Sequence, residues 1–449
     1  MAETLRSGNS STKLAQIAEL ARRHPERVFS SVHHVIDVEF LREAYRRTRK
    51  DAAVGVDGRT AEDYGRDLEK NLETLLARFQ RGSYYAPPVK RVHIPKGDGR
   101  TRPIGIPTFE DKVLQRAVAM VLETIYEQDF HPGSFGFRPG RSAHDALQAV
   151  WEVTTRVGGG WVLEVDIRAF FDTLNHGKLR GFLDKRVSDG VLRRAIDKWL
   201  KAGVLETGVI KQPEEGTPQG GVISPILANV YLHEVLDLWF EREVKPRLHG
   251  DATLIRYADD FVIVFEWEAD ARRVMEVLPK RFGKYDLTLH PDKTRLVKFV
   301  RPRPPGGKGG DNQGSGSFDF LGLTHHWGRS RKGTMVVRQK TARSRFTRSL
   351  TRIRTWCRQN LHRPIAEQRQ LLAMKLRGHY GYYGLTGNSK ALDRFANEVR
   401  KVWHKWLARR SQRANSRWDH FQRILRRYPL PRPRLRRTAR QLKLSESLH

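Results

Sequence analysis

Residues 254–267, LIRYADDFVIVFEW, restrict what this chain can become more than any other stretch. Leu254, Ile255 and Tyr257 lead into a polar tip, and Phe261 to Phe265 lead out of it, a pattern that predicts strand, tight turn, strand. The turn then carries two adjacent carboxylates, Asp259 and Asp260, at the end of a buried hairpin. Like charges placed so close repel unless a cation joins them. Oxygen-only ligands point to Mg²⁺. A lone Asp-Asp is also a common turn sequence, so the rest of the chain has to decide.

A second carboxylate comes from WVLEVDIRAFFDTLNH, residues 161–176. Trp161 to Ile167 reads as a continuous buried strand, and an Asp in such a run is expensive unless compensated. Asp166 lies 93 positions before Asp259, so the two meet only if their strands are neighbours in one sheet. In that case two Mg²⁺ ions about 3.5–4 Å apart can be held for phosphoryl transfer. One would activate a primer 3′-hydroxyl and the other would hold a triphosphate.

Other segments offer cationic or polar contacts. Residues 89–108 predict a hairpin with its turn at Lys96 to Gly99, and Lys96 and Arg102 flank the tip, where they could reach a triphosphate. Exposed hairpins carry Lys and Arg without any such role. The Gly/Pro loop FHPGSFGFRPGRS places Arg138 and Arg141 either to grip a phosphate backbone or to be buried as structural arginines. The loop GTPQGG sets Gln219 among free backbone N–H groups ahead of a helix starting near Ser224 and Pro225.

Charge is distributed unevenly. The net charge of +33 suggests a polyanionic partner. Residues 329–449 hold 33 Lys plus Arg against 5 Asp plus Glu, so +28 of that charge lies there. Three helices are expected between 340 and 410, with Phe346, Leu350, Ile353 and Trp356 inward on one and Phe395, Val399, Val402 and Trp406 inward on another. Residues 378–388 read as a glycine-broken joint, and RRYPLPRPRLRR within 411–449 as a mobile basic arm. A single cysteine, Cys357, excludes an internal disulfide and a multi-cysteine zinc site. No apolar run is long enough to span a bilayer, so no membrane partner is expected. A cytoplasmic setting follows.

YADD at 257–260 resembles the [YF]-x-D-D box of reverse transcriptases. The order IPKGDGRTRPIGIPT, GSFGFRPGRSAHDAL, VLEVDIRAFFDTLNH, GTPQGGVISPILANVYLHEVLD, RYADDFVI, LHPDKT, FDFLGLTH and LRGHYGYYG is similar to that of group II intron-encoded reverse transcriptase/maturases, over about residues 50–410. The resemblance implies an α+β right-hand polymerase, with fingers and an antiparallel palm sheet over 1–335, a helical thumb/maturase domain over 336–410 and a basic DNA-binding-like segment over 411–449. It implies that Asp166, Asp259 and Asp260 hold the two Mg²⁺ ions with the Ile167 carbonyl. It places Lys96, Arg102, Phe171, Gln219 and Ala258 around the deoxynucleoside triphosphate, with Phe171 excluding a 2′-hydroxyl or, alternatively, serving as plain core. Lys293 matches the motif's basic residue, and Gly322 lies in the primer-grip strand.

The implied partners are group II intron RNA, an RNA template with a DNA primer, and a DNA target that ties the protein to the bacterial nucleoid. The oligomeric state stays open. Many relatives carry a His-Asn-His endonuclease, but Cys357 stands alone and His379, His404 and His420 lack ligand spacing. A short bacterial class C member without endonuclease is expected. The alternatives are a splicing-only maturase and a domesticated or defence-associated reverse transcriptase.

Overall fold

The computed structural model describes residues 10–95, 101–206, 209–211, 220–302, 315–330, 332–410 and 417–435. Contacts divide the chain into two compact units, Met1–Val150 with Leu163–Leu296, and Trp151–Val162 with Val297–His449.

The first unit is organised around helix Phe109–Tyr126, in which 14 of 18 residues are buried. A helix apolar on nearly every side can only be core. Thr108 caps it by accepting the Asp111 N–H at 3.3 Å. Helix Val38–Arg47, capped by Asp37, packs against it through Phe40, Leu41 and Ala44. Beside this core lies a sheet in the order Thr101–Ile106, Val89–Pro95, Val204–Glu206, Val209–Lys211. The expected hairpin forms, with Ile94 opposite Arg102, but Lys96 and the rest of its tip lie outside the described residues.

A second sheet runs in the order Ala252–Tyr257, Asp260–Phe265, Trp161–Asp166, Arg295–Lys298. The first two strands are antiparallel from Ala252 opposite Phe265 to Tyr257 opposite Asp260. Phe261 to Phe265 and Val162 to Val165 are buried, as their unbroken apolar runs require.

In the second unit, strands Met335–Thr341, Leu323–Arg329 and Phe318–Phe320 form a sheet. Helices Arg343–Gln359, Ile365–Tyr383, Ser389–Leu407 and Trp418–Arg427 share one hydrophobic core. The units therefore divide near 296 rather than at 335. The physical reason is that Thr341, ending the last strand, exchanges hydrogen bonds with Asn388, which is buried just ahead of helix Ser389–Leu407.

Three expectations about this unit are corrected. Trp403, not Trp406, is the fully buried tryptophan, and its indole N–H reaches Gln368 at 2.9 Å. The helix predicted to stop at Leu376 continues through Gly378 and Gly381 to Tyr383, because His379 and Tyr380 pack into the bundle. Part of the expected mobile arm is folded, since Phe421 and Leu430 are buried in the same core. Among the described residues no helix is long and apolar enough to cross a membrane.

Candidate active site

The strand Asp260–Phe265 lies between Ala252–Tyr257 and Trp161–Asp166. The two carboxylate-bearing strands are thus neighbours, the condition the sequence spacing set. Asp166 ends its strand. Asp259 sits in the turn and Asp260 opens the return strand. Burial pushes the Asp259 carboxyl above its usual range, and the negative charge of Asp166 pushes it further. Arg102 and Arg256 act in the opposite direction. Arg102 is exposed on its hairpin strand, yet its charge reaches Asp259.

The turn is held from behind by groups that sequence reasoning missed. Arg256 is completely buried, and its guanidinium forks onto Asp237 at 2.9 and 2.6 Å. The third nitrogen donates to Asn229 Oδ1 at 3.0 Å and to the Ala258 carbonyl at 3.1 Å. Burial alone would raise the Asp237 carboxyl, but Arg256 and His233 hold it far below the usual range. Asn229 also donates to the Gly136 carbonyl at 2.8 Å. A Cβ on Gly136 would lie 2.2 Å from the Ala258 nitrogen, so only glycine fits against this turn. Ala258 itself adopts φ +58°, a left-handed conformation that an alanine does not choose unaided. The sign of this network in the sequence is a lone Arg in one apolar strand and a lone Asp in an apolar helix, two buried charges that had to find each other.

Asp166 has its own partners. Its carbonyl accepts the His290 N–H at 2.8 Å, and its carboxylate accepts from the Lys293 ammonium at 2.8 Å. Ile167 bridges Leu289, but the bonds beside that bridge run through Asp166 and Arg168, which leaves the Ile167 carbonyl outside the pair. Lys293 was assigned to nucleic-acid binding; here it faces a predicted metal-binding carboxylate. Phe171 is half-buried, with its ring edge-on to Phe170 at 5.3 Å, and Phe170 is core.

Arg138 is corrected. It is 6% exposed, its guanidinium clasps the Glu127 carboxylate at 2.9–3.1 Å, and it donates to the carbonyls of His131 and Ser134 at 2.8 Å. Those bonds take up all three nitrogens, so Arg138 is structural. Arg141 is exposed. Gln219 lies outside the described residues, but the loop's last residues are anchored, since Gln115 Oε1 accepts the Val222 N–H at 2.8 Å. Gly322, in the second unit, has φ +80° and sits against Tyr383 and Arg345.

The donor set fits Mg²⁺. It is all oxygen, and Asp259 is an anion strained by burial and by a second anion. The spot already draws a cation, the Lys293 ammonium. Among the described residues no three carboxylate, histidine or cysteine side chains form a ready metal cluster. Asp166 is engaged by Lys293 instead.

Residues 94–325, just over half the chain, match the reverse transcriptase (RNA-dependent DNA polymerase) family. The chain belongs to that family. It is 33% identical over 356 residues to protein YkfC of Escherichia coli (strain K12), covering 70% of this chain and 88% of that one. It is also 33% identical over 307 residues to the group II intron-encoded protein LtrA of Lactococcus lactis subsp. cremoris, covering 64% of this chain and 50% of LtrA. The chain thus spans half the length of LtrA. The expected resemblance to intron-encoded members is met by this relative. A solved telomerase from Candida albicans aligns over 77% of this chain and 63% of its own, at 15% identity and a TM-score of 0.42.

Proposed function

We propose that this chain copies intron RNA into DNA during retrohoming of a group II intron and assists that intron's splicing as a maturase. The observation that carries the first half is the meeting of Asp166 with the Asp259–Asp260 turn on adjacent strands, close enough for one charge to oppose the other. Asp166, Asp259, Asp260 and the Ile167 carbonyl would hold two Mg²⁺ ions. When bound, the ions supply activation of the primer 3′-hydroxyl and stabilisation of the leaving pyrophosphate. The chain's own residues do the rest. Arg256 and Gly136 fix the turn. Arg102 faces Asp259 with a cation able to take a triphosphate oxygen. Phe171, half-buried beside core Phe170, is placed to press on the sugar.

The maturase half is supported by the likeness to LtrA and by the charge of +28 over residues 329–449. An RNA helix offers mainly shape and phosphates, which arginine-rich helices suit. The test is primer extension by the purified protein, with a DNA primer on an RNA template, Mg²⁺ and deoxynucleotides. Asp259→Ala should abolish extension while RNA binding persists. Normal extension by that variant would end the assignment of the turn. Splicing of a flanking intron RNA by Asp259→Ala protein tests the maturase role separately.

A further inference from the structure

Phe137 is the residue whose conformation nothing so far explains. It has φ +57°, in the left-handed region that a bulky side chain avoids, and its side chain is 52% exposed. A strained backbone and an exposed aromatic ring both oppose folding, so something else must fix them.

The neighbours do so from both sides. Gly133 to Gly136 run along the edge of strand Ala252–Tyr257, with Ser134 bridging Arg256 and the Phe135 N–H on the Arg256 carbonyl at 2.8 Å. Gly136 is pressed on the backbone of the carboxylate turn and held by Asn229. On the other side Arg138 is locked into Glu127 and two carbonyls. Between two immovable residues, the ring of Phe137 is turned outward. It lies 6.4 Å from the ring of Tyr257, two residues before Asp259, with the planes at 41°. Arg141, four positions on, adds an exposed cation.

We infer that Phe137 is a positioning residue for nucleic acid: its outward ring, beside Tyr257, packs against a nucleoside at the growing end of the primer–template duplex. This rests on the polymerase reading, because that reading puts the primer terminus at the Asp259–Asp260 turn. An aromatic face beside a surface arginine is a sequence-tolerant nucleic-acid platform. Such stacking accounts for about 5- to 100-fold in affinity when removed.

The experiment measures binding of a fluorescein-labelled DNA primer on an RNA template, together with single-turnover extension and thermal stability. Phe137→Ala should weaken duplex binding about tenfold. The KM for deoxynucleotide and the extension rate at saturating duplex should stay within about twofold. Phe137→Trp should retain binding. Phe137→Asn separates function from structure, because Asn tolerates the left-handed backbone. It should be as stable as the parent or more so, and yet bind as weakly as Phe137→Ala. An abasic residue at the primer terminus, or at its template partner, identifies the strand: in Phe137→Ala the penalty disappears for the strand that the ring contacts. Unchanged duplex affinity, binding loss that tracks lost stability across the variants, abasic penalties unaltered on both strands, or a changed oligomeric mass without changed binding would each overturn the inference. If the parent protein itself fails to extend the primer, the polymerase reading falls. If it extends normally while Phe137→Ala binds normally, only the role of Phe137 falls.

Discussion

The Lys293 ammonium donates to the Asp166 carboxylate at 2.8 Å, so a side-chain cation already occupies part of the place where the resemblance puts a metal. Lysine and divalent ion then compete for the same oxygen. Lys293 is about half exposed, which limits the pair to about 0.5–1 kcal/mol. Replacing Lys293 with Met should lower the Mg²⁺ concentration for half-maximal primer extension about two- to fivefold. A Mg²⁺ titration of extension rate reads this directly, and a raised requirement would mean that the lysine helps the ion instead.

Arg256 and Asp237 are both fully buried, and each is the other's counter-charge. Arg256→Met leaves a buried carboxylate alone and should cost about 3–5 kcal/mol of stability. The double variant Arg256→Met, Asp237→Leu should recover most of that loss, since apolar packing replaces a buried pair at little cost. Extension should remain impaired in the double variant, because the Ala258 carbonyl has lost its donor. Denaturation midpoints and extension rates on the same three proteins separate the two effects.

At Gly136 the contact is steric. A methyl group there meets the backbone of Tyr257 and Ala258, which carry the carboxylates. Gly136→Ala should therefore lower the extension rate at least tenfold, about 1.4 kcal/mol of barrier, while the protein still binds RNA through its basic second unit. Rates near the parent's would show that the turn can shift without harm.

What the sequence made legible, and what it hid, follows from the range of the interactions. The hairpin, the strand of Asp166 and the core helix are local patterns, readable from apolar runs and a polar tip. The joining of Asp166 to Asp259 was conditional on strand order, and the sheet order meets the condition. Arg138 was ambiguous because a surface arginine and one buried on Glu127 look alike until the partner is placed. Arg256 and Asp237 went unread for the same reason. Their pairing is a tertiary fact, announced only by a charge where an apolar residue belongs. Gly136 had no local signal at all, since its constraint is the backbone of a strand more than a hundred residues away. The arm was misjudged from its prolines and arginines, which outweighed the widely spaced Phe421 and Leu430.

Asp111 gives a pH prediction. It lies in the wall of a small cavity with Gln115, Trp199 and Ile223, and its Oδ1 has no partner. Burial pushes its carboxyl up to about 8. In the unfolded chain the group ionises near pH 4. Between those values the folded protein holds a proton that the unfolded chain has lost. Stability should therefore fall as pH rises from about 4 to 8, by at most about 1.4 kcal/mol per unit, and the contribution is gone above that window. Asp111→Asn is neutral throughout and should flatten the dependence, with urea midpoints at pH 5 and pH 8 drawn closer together. An unaltered slope would place the titrating group elsewhere.

The C-terminal region separates into two experiments because its halves differ in what they touch. Phe421 is buried edge-on to Trp403 at 5.7 Å, and Leu430 shares the same core. A truncation at residue 410 strips both from the bundle, and losing Phe421 alone should cost about 3–5 kcal/mol. Such a protein should lose RNA binding by unfolding, which says nothing about the charges. Removing only 436–449 deletes Arg436, Arg437, Arg440 and Lys443 and leaves the buried residues in place. Each cation that contacts a phosphate contributes about 0.7–0.9 to the slope of log affinity against log salt. The shorter truncation should therefore keep its melting temperature, bind RNA more weakly at low salt, and reduce the slope by up to about 3. Equal slopes for parent and truncated protein would remove these four residues from the RNA-binding surface and leave the bundle's own arginines to account for it.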